Sequence, residues 1–303
     1  MPVSPRRGPA AALLLVLVGL LVAGCGSSNK SSSSSTSTSA NVSASKNDKI
    51  AAEVPAAVRN KGVLTVASDA TYAPNEFIAP DGKTVIGMDP DLVKALADVM
   101  GLKVKIVNAT FATIIPGMLA KRFDMGASSF TDNKEREKQV DFVTYLSVGE
   151  SFLTKVNGGP QPNKLADLCG LKVSVEAGTV EKDDATAQNS KCKSSGKKPI
   201  SLLVFPDQNG ANLALQSGRA QVDFADSPII AYQVRKLGVN VRQSPTFGTA
   251  PYGLALPKNN GMAKPVLDAL KQLMKDGTYA KILKQWTLQS AAITNPVING
   301  AQS

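Results

Sequence analysis

The sequence contains no histidine among its 303 residues. This absence excludes Ser-His-Asp triads, Cys-His nucleophile pairs and metal sites built from histidine. A P-loop and the glycine fingerprint of dinucleotide-binding proteins are also missing, which excludes the common nucleotide sites. The Ser-x-x-Lys pattern at residues 43–46 lacks the other motifs of penicillin-recognising enzymes. We therefore predict a protein that is not an enzyme and that has no metal or other cofactor.

Aromatic residues and cysteines are few. Only 5% of the residues are aromatic and the lysines are dispersed, so the net charge of +10 does not indicate a nucleic-acid partner. Besides Cys25 the chain has two cysteines, Cys169 and Cys192. In an exported protein an even pair of cysteines predicts a disulfide. A metal site is not expected there, because two thiols without a nearby histidine provide only half of the ligands.

The first 25 residues have the pattern of an export signal. Arg6 and Arg7 are followed by an apolar run and by small residues before Cys25. The ending LVAGC resembles the lipobox of bacterial lipoproteins, in which the cysteine is lipidated and becomes the first mature residue. Because the apolar run is short for a membrane span, we predict a lipoprotein signal peptide over residues 1–25 rather than a plain secretory signal or a transmembrane anchor. Cleavage would remove two positive charges and leave a formal net charge of +8 (10 − 2).

The rest of the chain divides into a polar tether and a folded region. Residues 26–48 are largely Ser, Thr and Asn, so they are predicted to be disordered. From Val63 onwards, short apolar strands alternate with amphipathic helices such as DPDLVKALADVMG, for which we predict Asp89 as the N-cap. Strands spaced by helices predict an α/β fold with mainly parallel sheets.

The strand–helix units form two groups. We predict one lobe from residues 49–150 and 247–303, and a second lobe from residues 151–246. The C-terminal helices are assigned to the first lobe because they have no second sheet of their own to cover. The chain would then cross twice between the lobes.

Polar side chains follow the ends of several predicted strands. They are Asp69, Tyr72, Ser128, Ser129, Thr131, Arg136, Glu176, Thr179 and Asp226. Ligands bind at the carboxyl ends of strands in open α/β sheets. Arg136 can hold a carboxylate through two hydrogen bonds, N–H groups at the helix start near Thr179 can assist, and Asp226 with the hydroxyls can hold an ammonium. The set predicts a cleft for an α-amino acid. By contrast, we interpret the carboxylates of VEKDDA as a solvated first helical turn.

Residues 60 to 286 resemble the family-3 solute-binding proteins of ABC transporters for polar amino acids. The matching segments include LTVASDATYAPNEF, GMDPDLVKALADVMG, SSFTDNKER, SGRAQVDFADSP and LKQLMKDGTYAKILKQW. The resemblance implies a two-lobed periplasmic-binding-protein-like fold of type II, with two hinge strands. It also implies that Arg136 binds the ligand carboxylate and Asp226 the ammonium. Further residues would bond both groups (Ser129, Thr131), sandwich the ligand (Tyr72, Phe111) and face its side chain (Asp69, Glu176).

This chain departs from the family pattern at several positions. Asn75 replaces an aromatic residue, which predicts a more polar cavity wall, and Val180 replaces a frequent hydroxyl residue. Gln221 replaces a common aspartate, and the pattern gives no role to Asp223.

The resemblance implies a lipid-anchored, monomeric binding protein on the extracytoplasmic face of a bacterial membrane. It would deliver a polar amino acid to an ABC permease that a separate ATPase drives. Two carboxylates facing the ligand side chain favour arginine, lysine or ornithine, because burying unpaired carboxylates is costly. Glutamine or glutamate is the alternative ligand. A sensor, and an enzyme like cyclohexadienyl dehydratase with Glu176 as its acid, are the alternative functions.

Overall fold

The computed structural model describes residues 1–2 and 42–301 of the chain. The predicted signal peptide, its lipidated Cys25 and the predicted tether up to residue 41 lie outside the described residues, apart from the first two. Within the described part, no helix has both the length and the apolar character that a membrane span requires.

Helices and strands alternate along the described chain. The helices are α1 (Asp48–Glu53), α2 (Ala56–Lys61), α3 (Met88–Met100), α4 (Ile114–Leu119), α5 (Lys134–Glu137), α6 (Val180–Ser194), α7 (Gln208–Gln216), α8 (Ser227–Leu237), α9 (Ala263–Lys275) and α10 (Thr278–Gln285). The strands are β1 (Val63–Ser68), β2 (Thr71–Tyr72), β3 (Glu76–Ile78), β4 (Val85–Ile86), β5 (Lys103–Asn108), β6 (Met125–Gly126), β7 (Val140–Lys155), β8 (Lys172–Glu176), β9 (Ser201–Phe205), β10 (Val222–Asp226), β11 (Val241–Gln243) and β12 (Phe247–Pro257).

One sheet runs through most of the described chain, in the order β5-β1-β6-β12-β7-β10-β8-β9, with β11 beside β7. Strand β1 is parallel to β5 and β6, and strand β8 is parallel to β9 and β10. These parallel groups are connected through helices, as expected for crossover units. The predicted α/β class is therefore confirmed.

Two long antiparallel strands, β7 and β12, join the two parallel groups. The first part of β7, up to Glu150, pairs along nearly the whole of β12. The second part of β7, from Glu150 to Lys155, pairs with β10 and β11. The buried hydrophobic residues also divide into two groups near the same positions of the chain. A first core uses residues up to Val148 and from Tyr252 onwards, and a second core uses residues 152–247 together with Tyr72. The division into two lobes with boundaries at residues 150 and 246 agrees with these observations and stays a prediction.

The predicted tether extends too far towards the folded region. Val42 and Ala44 pack against the first core, and the Ala44 N–H donates to Asp98 Oδ2 at 3.1 Å. The Asn47 N–H donates to the Val99 carbonyl at 2.9 Å, and the Asn47 side chain caps α1. Residues 42–48 are therefore not disordered, because they contain two apolar side chains and a capping residue that the folded region can bind.

The prediction of Asp89 as the N-cap of α3 is wrong. The helix begins at Met88 with Gly87 at the N-cap position, and Asp89 lies within the first turn. Gly87 has φ 136°, and a Cβ there would lie 2.1 Å from the Asn75 carbonyl oxygen. This close approach requires glycine and sets the start of the helix. The Asp89 carboxylate instead accepts a hydrogen bond from the Ser129 N–H at 2.8 Å.

The predicted disulfide between Cys169 and Cys192 is confirmed. It joins the short helix Leu165–Leu168 to α6 with a Cα–Cα distance of 5.7 Å. Gln188 lies against both sulfur atoms. The bond links α6 to the second core, so it supports the helix whose N-terminus faces the cavity described below.

Replacing both cysteines by serine is expected to lower the free energy of unfolding by about 3 kcal/mol, because the open chain gains entropy in the unfolded state. Urea denaturation of the oxidised protein and of the Cys169→Ser/Cys192→Ser variant measures this difference. Reductant should destabilise the wild type and leave the variant unchanged. A variant as stable as the oxidised protein would contradict the expectation.

Candidate ligand-binding site

A cavity lies next to the residues at the ends of β1, β6, β8 and β10. Its lining consists of Asp69, Tyr72, Phe111, Ser128, Ser129, Thr131, Arg136, Glu176, Thr179, Val180, Glu181 and Asp226. The structure thus brings together all ten side chains that the sequence analysis assigns to a ligand, and it adds two more. Convergence of distant strand ends is the geometry expected of a ligand site in an α/β fold. The binding role of each residue stays a prediction.

The serine-rich turn after β6 is held by buried hydrogen bonds. Strand β6 ends at Gly126, and Ser129 adopts the left-handed conformation with φ 51°. The Ser128 hydroxyl accepts from the Asp69 N–H at 2.8 Å. The Ser129 hydroxyl accepts from the Asn75 amide at 2.9 Å. Asn75 is fully buried behind the turn and is not part of the lining, so the prediction that it makes a cavity wall more polar is wrong.

Two buried carboxyl groups, Glu76 and Asp89, support this turn from behind. The hydroxyls of Ser128 and Ser129 contact the Glu76 carboxyl at 3.3 and 3.2 Å. Burial raises the pKa of Glu76 well above its ordinary value, and the nearby Asp89 carboxylate raises it further. Burial likewise raises the pKa of Asp89 to about 6. The serine hydroxyls are therefore fixed by groups outside the cavity.

Arg136 lies against two aromatic rings and bonds two backbone carbonyls. Its Nη1 donates to the Thr131 carbonyl at 2.8 Å, and its Nη2 donates to the Gly178 carbonyl at 3.0 Å. Its Cζ lies 5.4 Å from the centre of the Phe111 ring and 5.5 Å from that of Phe130. These two bonds use two of the five guanidinium N–H donors, so others remain for an anionic ligand.

Gly178 brings the loop before α6 close to the opposite side of the cavity. It has φ 82°, and a Cβ at this position would lie 3.0 Å from Ala112 Cβ. The next residue, Thr179, is the N-cap of α6 and accepts from the Lys182 N–H at 3.2 Å. Backbone N–H groups at this helix start are positioned to favour an anion, next to Arg136.

Asp69 and Glu176 form one group of carboxyls in the cavity. Asp69 accepts from the Thr71 hydroxyl at 2.7 Å and from the Phe111 N–H at 2.8 Å. Glu176 is 2% exposed, and its Oε1 has no hydrogen-bond partner among the described residues. Burial raises the pKa of Glu176 well above its ordinary value, and the Asp69 carboxyl adds to this effect. The unsatisfied oxygen indicates that a donor from a ligand is needed here.

Asp226 ends β10 and bonds Tyr72 from the other part of the chain. The Tyr72 hydroxyl donates to Asp226 Oδ2 at 2.8 Å and accepts from the Asp226 N–H at 3.2 Å. Asp226 is 6% exposed, and burial raises its pKa to about 6. A buried carboxylate without a cationic partner is costly, and a cationic group of a ligand would offset this cost.

Glu181 is a cavity residue that the sequence analysis missed. It was interpreted as part of a solvated helical turn, but it is 2% exposed and lines the cavity, so that interpretation is wrong for this residue. It does hold for Asp183, whose side chain is 71% exposed. The missed signal is the helical spacing, since Glu181 continues the buried stripe formed by Ala185, Gln188 and Cys192 on α6.

Of the other departures from the family pattern, Val180 lines the cavity, whereas Asp223 and Gln221 lie outside it. Asp223 is fully buried in β10 and accepts hydrogen bonds from Gln208 and Ser174 at 3.3 and 3.4 Å. Burial raises the pKa of Asp223 to about 7. Gln221 accepts from the Lys172 N–H at 3.0 Å. Both residues thus connect β10 with its neighbours in the second core.

Comparison with known proteins identifies relatives over most of the chain. The family model of bacterial extracellular solute-binding proteins, family 3, matches residues 64–289. The arginine-binding protein ArgT of Corynebacterium glutamicum is 31% identical over 300 residues, which cover 98% of this chain and 97% of that protein. The ABC transporter arginine-binding protein 1 of Escherichia coli is 29% identical over 225 residues, which cover 72% of this chain and 87% of that protein.

Solved structures show the same relationship. An ancestral arginine-binding protein bound to arginine is 30% identical in sequence and has a TM-score of 0.68. The match covers 74% of this chain and 98% of the chain of that protein. The ancestral amino acid-binding protein AncCDT-1, a precursor of cyclohexadienyl dehydratase, is 33% identical with a TM-score of 0.68 over 76% of this chain and 97% of its own.

Proposed function

Since the chain belongs to the bacterial extracellular solute-binding proteins, family 3, we propose that it captures a cationic L-amino acid, arginine first of all, for an ABC importer. One observation carries this choice of ligand. The cavity contains four carboxyl groups, those of Asp69, Glu176, Glu181 and Asp226, and one guanidinium, that of Arg136. Buried carboxylates without cationic partners are costly, and a ligand with two cations and one anion offsets this imbalance. The names of the arginine-binding relatives support the same choice.

The proposed binding mode places each ligand charge against an opposite charge. The α-carboxylate meets Arg136 and the N–H groups after Thr179, and the α-ammonium meets Asp226. The side-chain guanidinium extends to Asp69 and Glu176. Tyr72 and Phe111 pack against the ligand, and the hydroxyls of Ser128, Ser129 and Thr131 form hydrogen bonds with it.

We further propose that the ligand closes two lobes around itself. The contact of Tyr72 with Asp226 and that of Arg136 with Gly178 join residues of the two predicted lobes in the cavity wall. A ligand that bonds Arg136 and Asp226 together would favour this arrangement over an open one. The closed, monomeric protein, anchored through a lipid on Cys25 at the outer face of the membrane, then docks on a permease that a separate ATPase drives.

Calorimetric titration against the twenty L-amino acids, combined with small-angle scattering, tests this proposal. Arginine should bind most tightly and should reduce the radius of gyration. Tight binding of glutamine or glutamate in place of arginine would support the alternative ligands. If no amino acid binds, the proposed function is wrong.

The proposal also holds that the protein is not an enzyme. Two observations favour the competing possibility, namely the raised pKa of Glu176, which burial causes, and the likeness to a precursor of a dehydratase. An enzyme of that class would use Glu176 as a general acid. Formation of product from prephenate or arogenate during incubation with the purified protein would contradict the binding-protein proposal.

Glu176→Gln is expected to lower arginine affinity by roughly 10-fold or more, because the guanidinium loses a charged partner. Affinity for citrulline, a neutral analogue of similar shape, should change less than about threefold, because no charge pair is lost. Calorimetry with both ligands measures this selectivity. Glu135→Gln is the control, since the Glu135 side chain is 80% exposed on α5 and lies outside the cavity lining. Equal losses for both ligands would contradict the assignment of Glu176 to the ligand side chain.

A further inference from the structure

A second pair of carboxyl groups, Asp226 and Glu181, lies at the end of the cavity near Arg136. Both residues are buried, with 6% and 2% exposure. Both carboxyls line the same cavity, and each is close enough to shift the pKa of the other. Glu181 Oε1 has no hydrogen-bond partner among residues 42–301. Glu181 therefore presents to the cavity a buried oxygen that can accept a hydrogen bond from a ligand.

The charged surroundings of Glu181 are mainly acidic. Asp226 and Glu150 act against its ionisation, whereas Arg136 favours it. Tyr72, whose hydroxyl donates to Asp226 Oδ2, is neutral because burial and the carboxyls of Asp226 and Glu181 raise its pKa well above the ordinary value. No lysine or arginine of the described chain forms an ion pair with Asp226 or Glu181.

Two adjacent buried carboxyls do not both ionise without a cation between them. Burial and the neighbouring Asp226 raise the pKa of Glu181 well above its ordinary value. Burial also raises the pKa of Asp226 to about 6. Both effects oppose ionisation of the pair in the ligand-free protein.

We propose that Glu181 is a specificity-determining residue that binds the α-ammonium of the ligand together with Asp226, in exchange for the proton that the two carboxyls share. This inference rests on the proposed amino-acid binding. The ammonium N–H groups would donate to both carboxylates, and the displaced proton leaves to solvent. Capture requires a free amino group, so that N-acylated amino acids and internal peptide nitrogens, which carry no charge, are rejected.

The Asp69–Glu176 pair allows a matched comparison at the other end of the cavity. Glu176 and Asp69 line the same cavity and shift each other's pKa. The buried Glu176 Oε1 also has no hydrogen-bond partner in the described part of the chain. A ligand guanidinium there would displace a proton in the same way. Arginine therefore exchanges a proton at each end, and each exchange depends on a different glutamate.

Calorimetry with L-arginine in buffers of different ionisation enthalpy measures the number of protons released. We expect Glu181→Gln to release about one proton fewer than the wild type. The complex holds fewer protons than the free protein, so raising the pH favours binding. From about pH 6 upwards the wild-type affinity should rise with pH, because burial raises the pKa of Asp226 to about 6 and raises that of Glu181 well above its ordinary value. The affinity of the wild type should gain up to about tenfold per pH unit more than that of the variant. At the acidic end the two affinities should converge, because glutamine imitates the protonated glutamate.

Two controls locate the effect. Glu176→Gln should also lower the number of protons released on arginine binding by about one. The double variant Glu176→Gln/Glu181→Gln should lower this number by about two. With 5-guanidinopentanoate, which is arginine without its amino group, Glu181→Gln should leave the proton count unchanged. A Glu181→Gln protein that binds arginine with wild-type proton release, or with an affinity lowered equally at every pH, would overturn the inference and leave the proposed function intact. Failure of the wild type to bind arginine would overturn the proposed function itself.

Discussion

Arg136→Met is expected to weaken arginine binding by roughly 100-fold or more, because the ligand carboxylate loses its charged partner inside a closed cavity. In the structure the Arg136 guanidinium is fixed by the Thr131 and Gly178 carbonyls and by two stacked phenylalanine rings. This fixed position means that little side-chain entropy is lost when the carboxylate binds. Calorimetry or ligand-induced change in the melting temperature measures the loss.

The chain offers a matched control for this substitution. Arg122 also lies over a phenylalanine ring, with its Cζ 5.3 Å from the centre of Phe123, but it is exposed and outside the cavity lining. Arg122→Met should leave arginine affinity within about twofold of the wild type. Arg136→Lys should fall between the two, because lysine keeps the charge and loses the planar pair of donors. An Arg136→Met protein with wild-type affinity would show that the carboxylate is bound elsewhere.

Asp226→Asn is expected to weaken arginine binding by on the order of 100-fold, because the ammonium loses its charged acceptor. Asparagine keeps an oxygen for the Tyr72 hydroxyl, so the ligand-free fold should change little. The control is Asp223→Asn, three residues earlier in β10, since Asp223 is buried and hydrogen-bonded but does not line the cavity. Calorimetric titration with arginine should show a large loss of affinity for Asp226→Asn and a small loss for Asp223→Asn. Similar losses would indicate a general effect on β10 rather than a ligand contact.

The cavity lining was largely predictable because strand ends converge in an α/β fold. The apolar runs of β1, β8 and β10 end at Asp69, Glu176 and Asp226. Within each parallel group such ends lie at one edge of the sheet, and both groups contribute to the cavity. Neither strand spacing nor charge, however, indicates that Arg136 bonds the Gly178 carbonyl. That contact joins residues far apart in the chain and depends on how the loop before α6 approaches the first core.

The errors share a physical cause, which is tertiary burial of residues that are usually solvated or terminal. Glu181 stands in the first turn of a helix, where a carboxylate is favourable in water, and this masked its place in a buried stripe. Asp89 has the position of an N-cap by sequence, but the contact between Gly87 and Asn75 shifts the helix start. Asn75 was expected at the ligand, yet it bonds Ser129 from behind. Helix propensity and local pattern do not contain these packing contacts.

In the proposed binding mode, Arg136 and Asp226 hold the two opposite backbone charges of one amino acid. The most direct measurement compares arginine with agmatine, which lacks the carboxylate, in the wild type and in Arg136→Met. If this binding mode is right, the substitution weakens arginine binding by roughly 100-fold and changes agmatine binding by less than about threefold. Equal weakening of both ligands would contradict it, because Arg136 would then act on the cavity and not on the carboxylate.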